Sequence, residues 1–147
     1  MHAKATVQAL MDSIQQGDFA KAKTLLSKDF QFSGSAPEPV GGDTWLEMSR
    51  SMKKAFPNLD YHFHLENMYA NTARISTQLR GTQTGTLDLT GSNMGKRRGS
   101  KRSFVSAREE GKVTVEGDQV TSWVVQPAAG AGMKAILGQL GIEPPTE

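Results

Sequence analysis

The sequence predicts an α+β fold, in which N-terminal helices pack on a strongly curved antiparallel or mixed sheet that a short C-terminal helix follows. The apolar residues repeat with helical spacing as far as Phe56-Pro57 and alternate with a period of two after Leu59. Helices that precede a run of adjacent strands favour an antiparallel sheet covered on one side. Glycines within the strands favour a strong bend of that sheet, and small ligands usually bind in such concavities.

Three helices are predicted before the sheet. The first carries one apolar stripe with i, i+3, i+4, i+7 spacing, formed by Val7, Leu10, Met11 and Ile14. Gly17 ends this helix, and Asp18 can cap the next one. The third helix is expected to begin with a capping box, Thr44 to Glu47, and to end at Phe56-Pro57, because proline disfavours helix in the residue before it.

The rest of the chain is dominated by strand patterns. A short strand is predicted for Phe30-Gln31-Phe32, and a glycine-rich basic loop for residues 91–102. The alternation of apolar and polar residues predicts four longer strand segments, which are Tyr61–Glu66, Ala73–Gly85, Phe104–Val115 and Val120–Val125. A short helix over Met133–Leu140 ends the pattern.

Length and composition limit the classes of protein to consider. The 147 residues are predicted to form a single domain, 1–147, without repeats. The absence of cysteine excludes disulfides, thiolate metal sites and thiol catalysis. No apolar run is long enough to span a membrane, and Met1–Lys4 leads into a polar segment unlike a signal peptide. A cytoplasmic protein without a membrane partner is therefore expected.

Three motifs resemble those of a known family. Arg80–Gly85, R-G-T-Q-T-G, resembles the "R-G-T-H-T-G" strand end of SnoaL-like polyketide cyclases, within the nuclear-transport-factor-2-like superfamily. Phe56–Leu59 resembles the "F-P-D-L" that precedes their first long strand, and Glu116–Val120, Trp123 and Gly138–Gly141 resemble their "E-D-G-K-I…H-W…Q-Q-L-G". The resemblance implies a cone-shaped domain, often a homodimer through the outer face of the sheet, with cyclase members that use no cofactor.

The resemblance also implies an acid–base mechanism, whose groups this sequence lacks. In the family an aspartate a few residues after the tryptophan removes a proton, and a histidine commonly assists. Four residues after Trp123 stands Pro127, and the neighbouring Gln126 cannot take a proton at neutral pH. The histidine of T-H-T-G is replaced by Gln83. The family's own cyclase mechanism is therefore not expected.

Glu109 is the best candidate for a relocated catalytic group. It shares strand parity with Val113 and Val115, so its side chain can point inward, where desolvation raises a carboxyl pKa. The sequence favours the alternative, in which a bulge near Gly111 turns Glu109 into solvent to pair with Arg108 or Arg80. Both readings stay open at this point.

The predicted ligand pocket lies between the third helix and the last strand. Its lining residues are expected to be Trp45, Met48, Met52, Tyr61, Gln83, Trp123 and Gln126, although core packing is the alternative role for several of them. The indole N–H of Trp123 needs a partner when buried, and Gln83 is expected beside it. His62 and His64 share one strand face, but a third ligand is missing, so no metal site is predicted.

The basic residues are concentrated in one loop. Five positive charges fall within seven residues, at Lys96, Arg97, Arg98, Lys101 and Arg102. Because no aromatic residue is interleaved with them, nucleic-acid binding is not expected, and a solvated hairpin tip is favoured.

These observations leave three hypotheses about function. The first is a homodimeric domain that binds a small, largely apolar molecule without cofactor and without the family's cyclase chemistry. The second is a cofactor-free cyclase, isomerase or dehydratase with its acid–base duty moved to Glu109, or to Tyr61 with Gln83 as an orienting donor. The third is a protein- or RNA-interaction module that uses the basic loop.

Overall fold

The computed structural model describes residues 3–34, 38–89, 95–97, 101–126 and 139–140. Three helices are named within these ranges: α1 (Ala3–Gln16), α2 (Phe19–Thr24) and α3 (Gly42–Ala55). Ten strands are named in the same ranges: β1 (Leu26–Ser33), β2 (Val40–Gly41), β3 (His64–Tyr69), β4 (Thr72–Thr77), β5 (Arg80–Thr82), β6 (Leu87–Leu89), β7 (Gly95–Arg97), β8 (Ser103–Val105), β9 (Glu109–Glu116) and β10 (Gln119–Gln126).

Six strands form one mixed sheet in the order β2-β1-β10-β9-β4-β3. β1 pairs in parallel with β10, and the other neighbours are antiparallel. Two further pairs, β5 with β8 and β6 with β7, stand apart from this sheet. The predicted α+β class, with helices packed on a large curled sheet, is confirmed.

The main core lies between α1 and the concave face of the sheet. The stripe predicted for α1 is buried as expected, since Val7, Leu10, Met11 and Ile14 are each at most 1% exposed. The strands contribute Ala73, Ile75, Val113, Val115 and Val120 to the same cluster. Alternation along β4 and β9 sends these residues to one face, which is why a period of two could predict the buried side.

α3 begins earlier than the capping box predicts. Gly41 occupies the N-cap without a side-chain hydrogen bond, and Thr44 lies inside the first turn. The physical reason is β2, whose pairing with β1 delivers an extended Gly41 directly to the start of the helix. The predicted end is confirmed, because α3 stops at Ala55 just before Phe56-Pro57.

Two strands that the sequence predicts as continuous are each divided in two. The segment Ala73–Gly85 breaks at Gln78-Leu79, and Phe104–Val115 breaks between Val105 and Glu109. Ser106 holds both breaks together: its N–H donates to Leu79 O at 2.8 Å, and its hydroxyl accepts from Leu79 N–H at 3.0 Å. The sheet therefore turns sharply at a point that Ser106 fixes.

Other expectations need smaller corrections. β1 is longer than the predicted Phe30-Gln31-Phe32, because it pairs with β10 from Leu26 onward. Tyr61–Phe63 is not a strand, since His62 has a left-handed φ of 48° and β3 begins at His64. Of the loop predicted for residues 91–102, Lys96 and Arg97 belong to β7, and residues 98–100 lie outside the described ones.

Little of the predicted C-terminal helix lies within the described residues. Gln139 is helical, and its side-chain amide forms two hydrogen bonds with the backbone of Val105 on β8. Oε1 accepts from Val105 N–H at 2.9 Å, and Nε2 donates to Val105 O at 2.7 Å. Leu140 is buried in a second core cluster with Phe56 and Phe104.

The glycines of the Arg80–Gly85 motif allow β5 to approach the end of α3. A Cβ at Gly81 would lie 3.3 Å from Phe56 Cβ, and one at Gly85 would lie 2.2 Å from Lys54 O. The N–H of Gly85 donates to Ala55 O at 3.0 Å. The motif therefore has a structural role: it holds β5 and the residues after it against the end of α3.

We expect Gly85→Ala to lower the free energy of unfolding by about 3 kcal/mol, because backbone of α3 occupies the position of the added methyl. The matched control is Gly41→Ala, whose Cβ would meet no atom within 4 Å, so its cost should stay below about 1 kcal/mol. Urea unfolding of both variants measures the difference. Equal stability of the two variants would contradict the close approach.

Candidate functional site

Six aromatic residues pack together between α3 and the concave face of the sheet; we call them the aromatic cluster. They are Phe30, Phe32, Trp45, Tyr61, Phe63 and Trp123. The ring of Trp45 lies 5.1 Å from Phe30, 5.5 Å from Phe32 and 5.3 Å from Trp123, measured between centroids. Trp45 and Trp123 are thus brought together, as the pocket prediction requires.

Strand pairing explains why these rings meet. Phe30 and Phe32 are two residues apart, so both side chains leave β1 on the same face. The parallel pairing places Phe32 opposite Trp123 of β10. Trp45 on α3 then covers that face, and Phe63 approaches Trp123 at 5.7 Å. The cluster joins β1, α3 and β10 with the segment that precedes β3.

Tyr61 is held at the edge of this cluster by its backbone. Its N–H donates to Gln15 Oε1 at 2.8 Å, and its carbonyl accepts from Gln78 N–H at 3.0 Å and from the Thr77 hydroxyl. Its ring stacks on Phe63 at 4.9 Å. Burial raises the pKa of Tyr61 to about 12, against a smaller lowering by the Ser49 hydroxyl, so the phenol stays protonated near neutral pH.

Glu109 is half-buried and shares the concave face with Gly111 and Val113. The pairing of β4 with β9 runs without a shift from Thr72↔Thr114 to Thr77↔Glu109, so the expected bulge near Gly111 is wrong. The expected ion pairs are also absent, because Arg80 pairs with Asp60 and Arg108 with Glu66. Desolvation by burial raises the pKa of Glu109 above its usual value.

The neighbouring carboxyl has the opposite environment. Glu110 faces the outer side of the sheet, where Arg74 Nη2 lies 2.8 Å from its Oε2. Its hydrogen bond and charge interaction with Arg74 lower the pKa of Glu110. Two adjacent glutamates of β9 thus have pKa values displaced in opposite directions, because strand alternation sends them to different faces.

The indole nitrogen of Trp123 lies over Gly111. A Cβ at position 111 would lie 3.5 Å from Trp123 Nε1. The expected partner, Gln83, lies elsewhere: its backbone bonds Arg102 and Lys101, and its side chain donates to Gly85 O at 3.4 Å. In these contacts Gln83 does not bond the indole of Trp123 as expected. The reason is the break after β4, since Gln83 follows β5 on the far side of that break.

Four of the predicted pocket residues lie around or outside the cluster. Met48 points away from the core, with 44% of its surface exposed, whereas Met52 packs against the second core cluster. Gln126 is exposed at the end of β10, opposite Glu110. Gln83 is completely buried. Their roles as ligand contacts stay predictions.

Sequence reasoning missed several members of the site. Phe30, Phe32 and Phe63 were recognisable as apolar residues of strand patterns. The parallel pairing of β1 with β10, which brings their rings together, could not be predicted from local sequence. No sequence pattern predicted a role for Gln15, because an amide on the polar face of a helix is expected to contact solvent. In the structure it accepts from Tyr61 N–H and donates to Leu59 O.

Two cavities lined by described residues lie outside the aromatic cluster. One of about 200 Å³ opens on the outer face of the sheet between Arg74, Lys112 and Gln126. Another of about 430 Å³ lies near the start of α3, between Lys23, Lys28 and Asp43. Within the described ranges no group of three or more metal-ligating side chains is found, and no helix is long and apolar enough to cross a membrane.

Comparison with known proteins gives one family and several solved structures that share one fold. The family model described as SnoaL-like polyketide cyclase matches residues 4–122. No curated protein sequence matches the chain. Among solved structures, AclR of Streptomyces galilaeus, a candidate hydroxylase, superposes with a TM-score of 0.71 and 14% identity over 99% of this chain and 84% of its own.

Two further structures share the fold. A candidate polyketide cyclase of Silicibacter sp. TM1040 has a TM-score of 0.70 and 13% identity, over 93% of this chain and 93% of its own. An LEH-like epoxide hydrolase of M. tuberculosis has a TM-score of 0.63 and 14% identity, over 95% of this chain and 92% of its own. At these identities the likeness concerns the fold alone.

We expect Glu109→Gln to stabilise the protein more at pH 7.5 than at pH 4. A carboxyl whose folded-state pKa is raised contributes its stability below the unfolded-state pKa and loses it as pH rises through the folded-state pKa. The variant avoids that loss. Urea midpoints at the two pH values measure the effect.

Glu110→Gln is the matched control with the opposite sign. Because Arg74 lowers the pKa of Glu110, the variant should lose stability at pH 7.5, and the loss should shrink as pH falls to 4. If both variants respond to pH alike, the two carboxyls do not occupy different environments.

Proposed function

The chain belongs to the SnoaL-like polyketide cyclase family, and from that premise we propose that it binds a small, largely apolar molecule against the aromatic cluster and uses Glu109 as a cofactor-free general base. The observation that carries this proposal is the position of Glu109. It is a half-buried carboxyl with a raised pKa on the concave face, with no ion pair among the described residues.

The binding part of the proposal is supported by the chemistry of the concave face. Trp45 and Trp123 pack there with the half-buried ring of Phe63, and aromatic residues with few polar groups are the usual lining of small-molecule sites. An anionic ligand would lose its hydration among these rings and would be repelled by the Glu109 carboxylate. A cationic ligand would pair with that carboxylate and lower its pKa. The occupant that suits a base at Glu109 is therefore neutral and mostly apolar.

The location of Glu109 supports its role as the base. The resemblance gives the base position to the residue after Gln126, which is Pro127, outside the described residues. Gln126 pairs with Glu110, and Glu109 is the next residue of β9 toward the same end of the sheet. The neighbouring strand thus supplies a carboxyl close to where the family keeps its aspartate.

Its environment also suits a base that acts near neutral pH. A general base is most effective when its pKa lies near the working pH, and burial moves a glutamate in that direction. An ion pair with Arg108 or Arg80 would have had the opposite effect, and both arginines have other partners. The reaction class that follows is abstraction of a proton next to a carbonyl group.

The second candidate function is binding without catalysis. The missing aspartate and histidine favour it, since Pro127 and Gln83 stand at those positions. The named activities of structures with this fold include a hydroxylase, cyclases and an epoxide hydrolase, so the fold does not choose between reactions. An assay of proton transfer separates the two candidates.

We expect the protein to accelerate exchange of the α-protons of 2-tetralone, a small apolar ketone, for deuterium in D2O. Glu109→Gln should reduce the exchange rate by about 100-fold or more, because general-base catalysis contributes that much. The wild-type rate should rise with pH through a midpoint above the usual glutamate pKa. Proton NMR of the ketone measures the exchange.

The matched control is Glu110→Gln, which removes the adjacent carboxyl from the outer face. Its exchange rate should remain within about two-fold of wild type. Binding of 2-tetralone without exchange would support the non-catalytic candidate, and loss of exchange in the Glu110 variant alone would move the base to the other face.

The homodimer expected from the resemblance is proposed to form through the outer face of the sheet. Val124 supports this, because it is 42% exposed there, between Ser33 of β1 and Lys112 of β9. Contiguous exposed apolar surface marks partner sites, and Val124 contributes one residue to such a surface. The cytoplasmic location and the absence of a nucleic-acid partner stay predictions.

We expect Val124→Glu to shift the protein from dimer to monomer, because two copies of the new charge would face each other across a two-fold axis. Light scattering coupled to gel filtration measures the mass. Lys112→Ala, on the same face, is the control for a general effect of surface change. An unchanged dimer in the Val124 variant would place the interface elsewhere.

A further inference from the structure

We propose that the indole N–H of Trp123 is the hydrogen-bond donor that binds the ligand's acceptor oxygen at this site and stabilises the charge that develops on that oxygen. This inference rests on the proposed function, because it assigns a second functional group to the same site. It gives the indole N–H a partner in the ligand, where the sequence predicts Gln83 as the partner.

The first observation is a buried donor without a partner. Trp123 is 3% exposed, and within the described ranges its Nε1 makes no hydrogen bond. A tryptophan this buried usually donates its N–H to an acceptor, because the unpaired donor costs free energy. In these ranges the one completely enclosed side-chain nitrogen or oxygen without a partner is Ser27 Oγ. The Trp123 nitrogen therefore keeps some accessible surface.

The second observation is the direction of this nitrogen. The position of a Cβ on Gly111 lies 3.5 Å from Trp123 Nε1, so the N–H edge of the indole lies beside Gly111, where Ile75 Cδ1 is also close, at 3.3 Å from the same position. Trp123 is paired opposite Val113, so its indole extends along the sheet from Val113 toward Gly111. The next residue of β9 on the concave face in that direction is Glu109.

The third observation is the spacing of donor and base. Glu109 and Gly111 lie on the same face of β9, about 7 Å apart along the strand. An oxygen that accepts from the indole N–H leaves the adjacent carbon on the Glu109 side. One small molecule can therefore contact both groups, with its apolar part against Trp45 and Phe63.

The chemistry of such a pair balances without a cofactor. The Glu109 carboxylate takes a proton from the carbon next to a carbonyl, so that a C–H bond breaks and an O–H bond forms on Glu109. The electron pair forms a carbon–carbon double bond and moves the carbonyl electrons onto oxygen. The indole N–H stabilises this oxygen, which carries more negative charge than in the ground state. Return of the proton to carbon restores the carboxylate.

The test compares 2-tetralone with tetralin, which has the same carbon skeleton without the oxygen. In protein labelled with nitrogen-15, we expect the indole resonance of Trp123 to shift downfield on saturation with 2-tetralone and to move little with tetralin. The resonance of Trp45, assigned through Trp45→Phe, is the internal control for ring-current effects. This measurement uses the wild-type chain and does not depend on the folding of a variant.

A variant supplies the kinetic readout. Trp123→Phe keeps a ring and removes the N–H. Its affinity for 2-tetralone should fall about ten-fold, to the level of tetralin, because one neutral hydrogen bond is lost. Its exchange rate at saturation should fall about 100-fold, because the donor acts mainly on the charged oxygen.

The outcomes separate this inference from the proposed function. If both probes bind with equal affinity and shift Trp123 equally, the donor role is overturned and apolar binding stands. If 2-tetralone shifts Trp123 and Glu109→Gln leaves exchange unchanged, the donor role stands and the proposed base is overturned. If neither probe saturates the protein, the proposed function and this inference both fail.

Discussion

The packing of Trp45 against Trp123 is the contact on which the candidate site depends, because it joins the helical layer to an interior strand of the sheet. The two rings lie 5.3 Å apart. Phe30 and Phe32 lie on the other side of Trp45, and Phe63 lies against Trp123. Rings of this size each bury a large apolar area. A smaller residue at position 45 would remove the ring against which Phe30, Phe32 and Trp123 pack. A smaller residue at position 123 would remove the ring that Trp45 and Phe63 contact.

The second constraint is the turn of the sheet at Ser106. The same two chain segments pair on both sides of this point, as β4 with β9 on one side and as β5 with β8 on the other. Because Ser106 bonds Leu79 through two groups, the two strands turn together. Glu109 is the first residue of β9 after the turn, so it stands at the rim of the concave face. Curvature of the backbone, rather than any local preference of Glu109, gives this carboxyl its partly desolvated environment.

The fold was largely predictable from the sequence, and the site only in part. Periodicity predicted α1 and the strand parity of Glu109, and Pro57 predicted the end of α3, because each depends on neighbours within one element. It failed where distant segments decide: β2 overrides the capping box at Thr44, and the turn at Ser106 separates Gln83 from Trp123. The bulge expected near Gly111 was wrong, and the glycine has a different structural reason: a Cβ there would lie only 3.0 Å from Val124 O and 3.3 Å from Ile75 Cδ1. Contacts of this kind form between strands, and the spacing of residues along the sequence does not reveal them.

The amide of Gln139 has a consequence for how this chain behaves among other copies of itself. Within the described residues β8 has a strand neighbour on one side, β5. On β8, Gln139 accepts from Val105 N–H and donates to Val105 O, as an adjoining strand would. A free backbone edge with an exposed valine is a template for strand addition and aggregation. The side chain of Gln139 thus covers part of the β8 edge and protects the protein against aggregation through that edge.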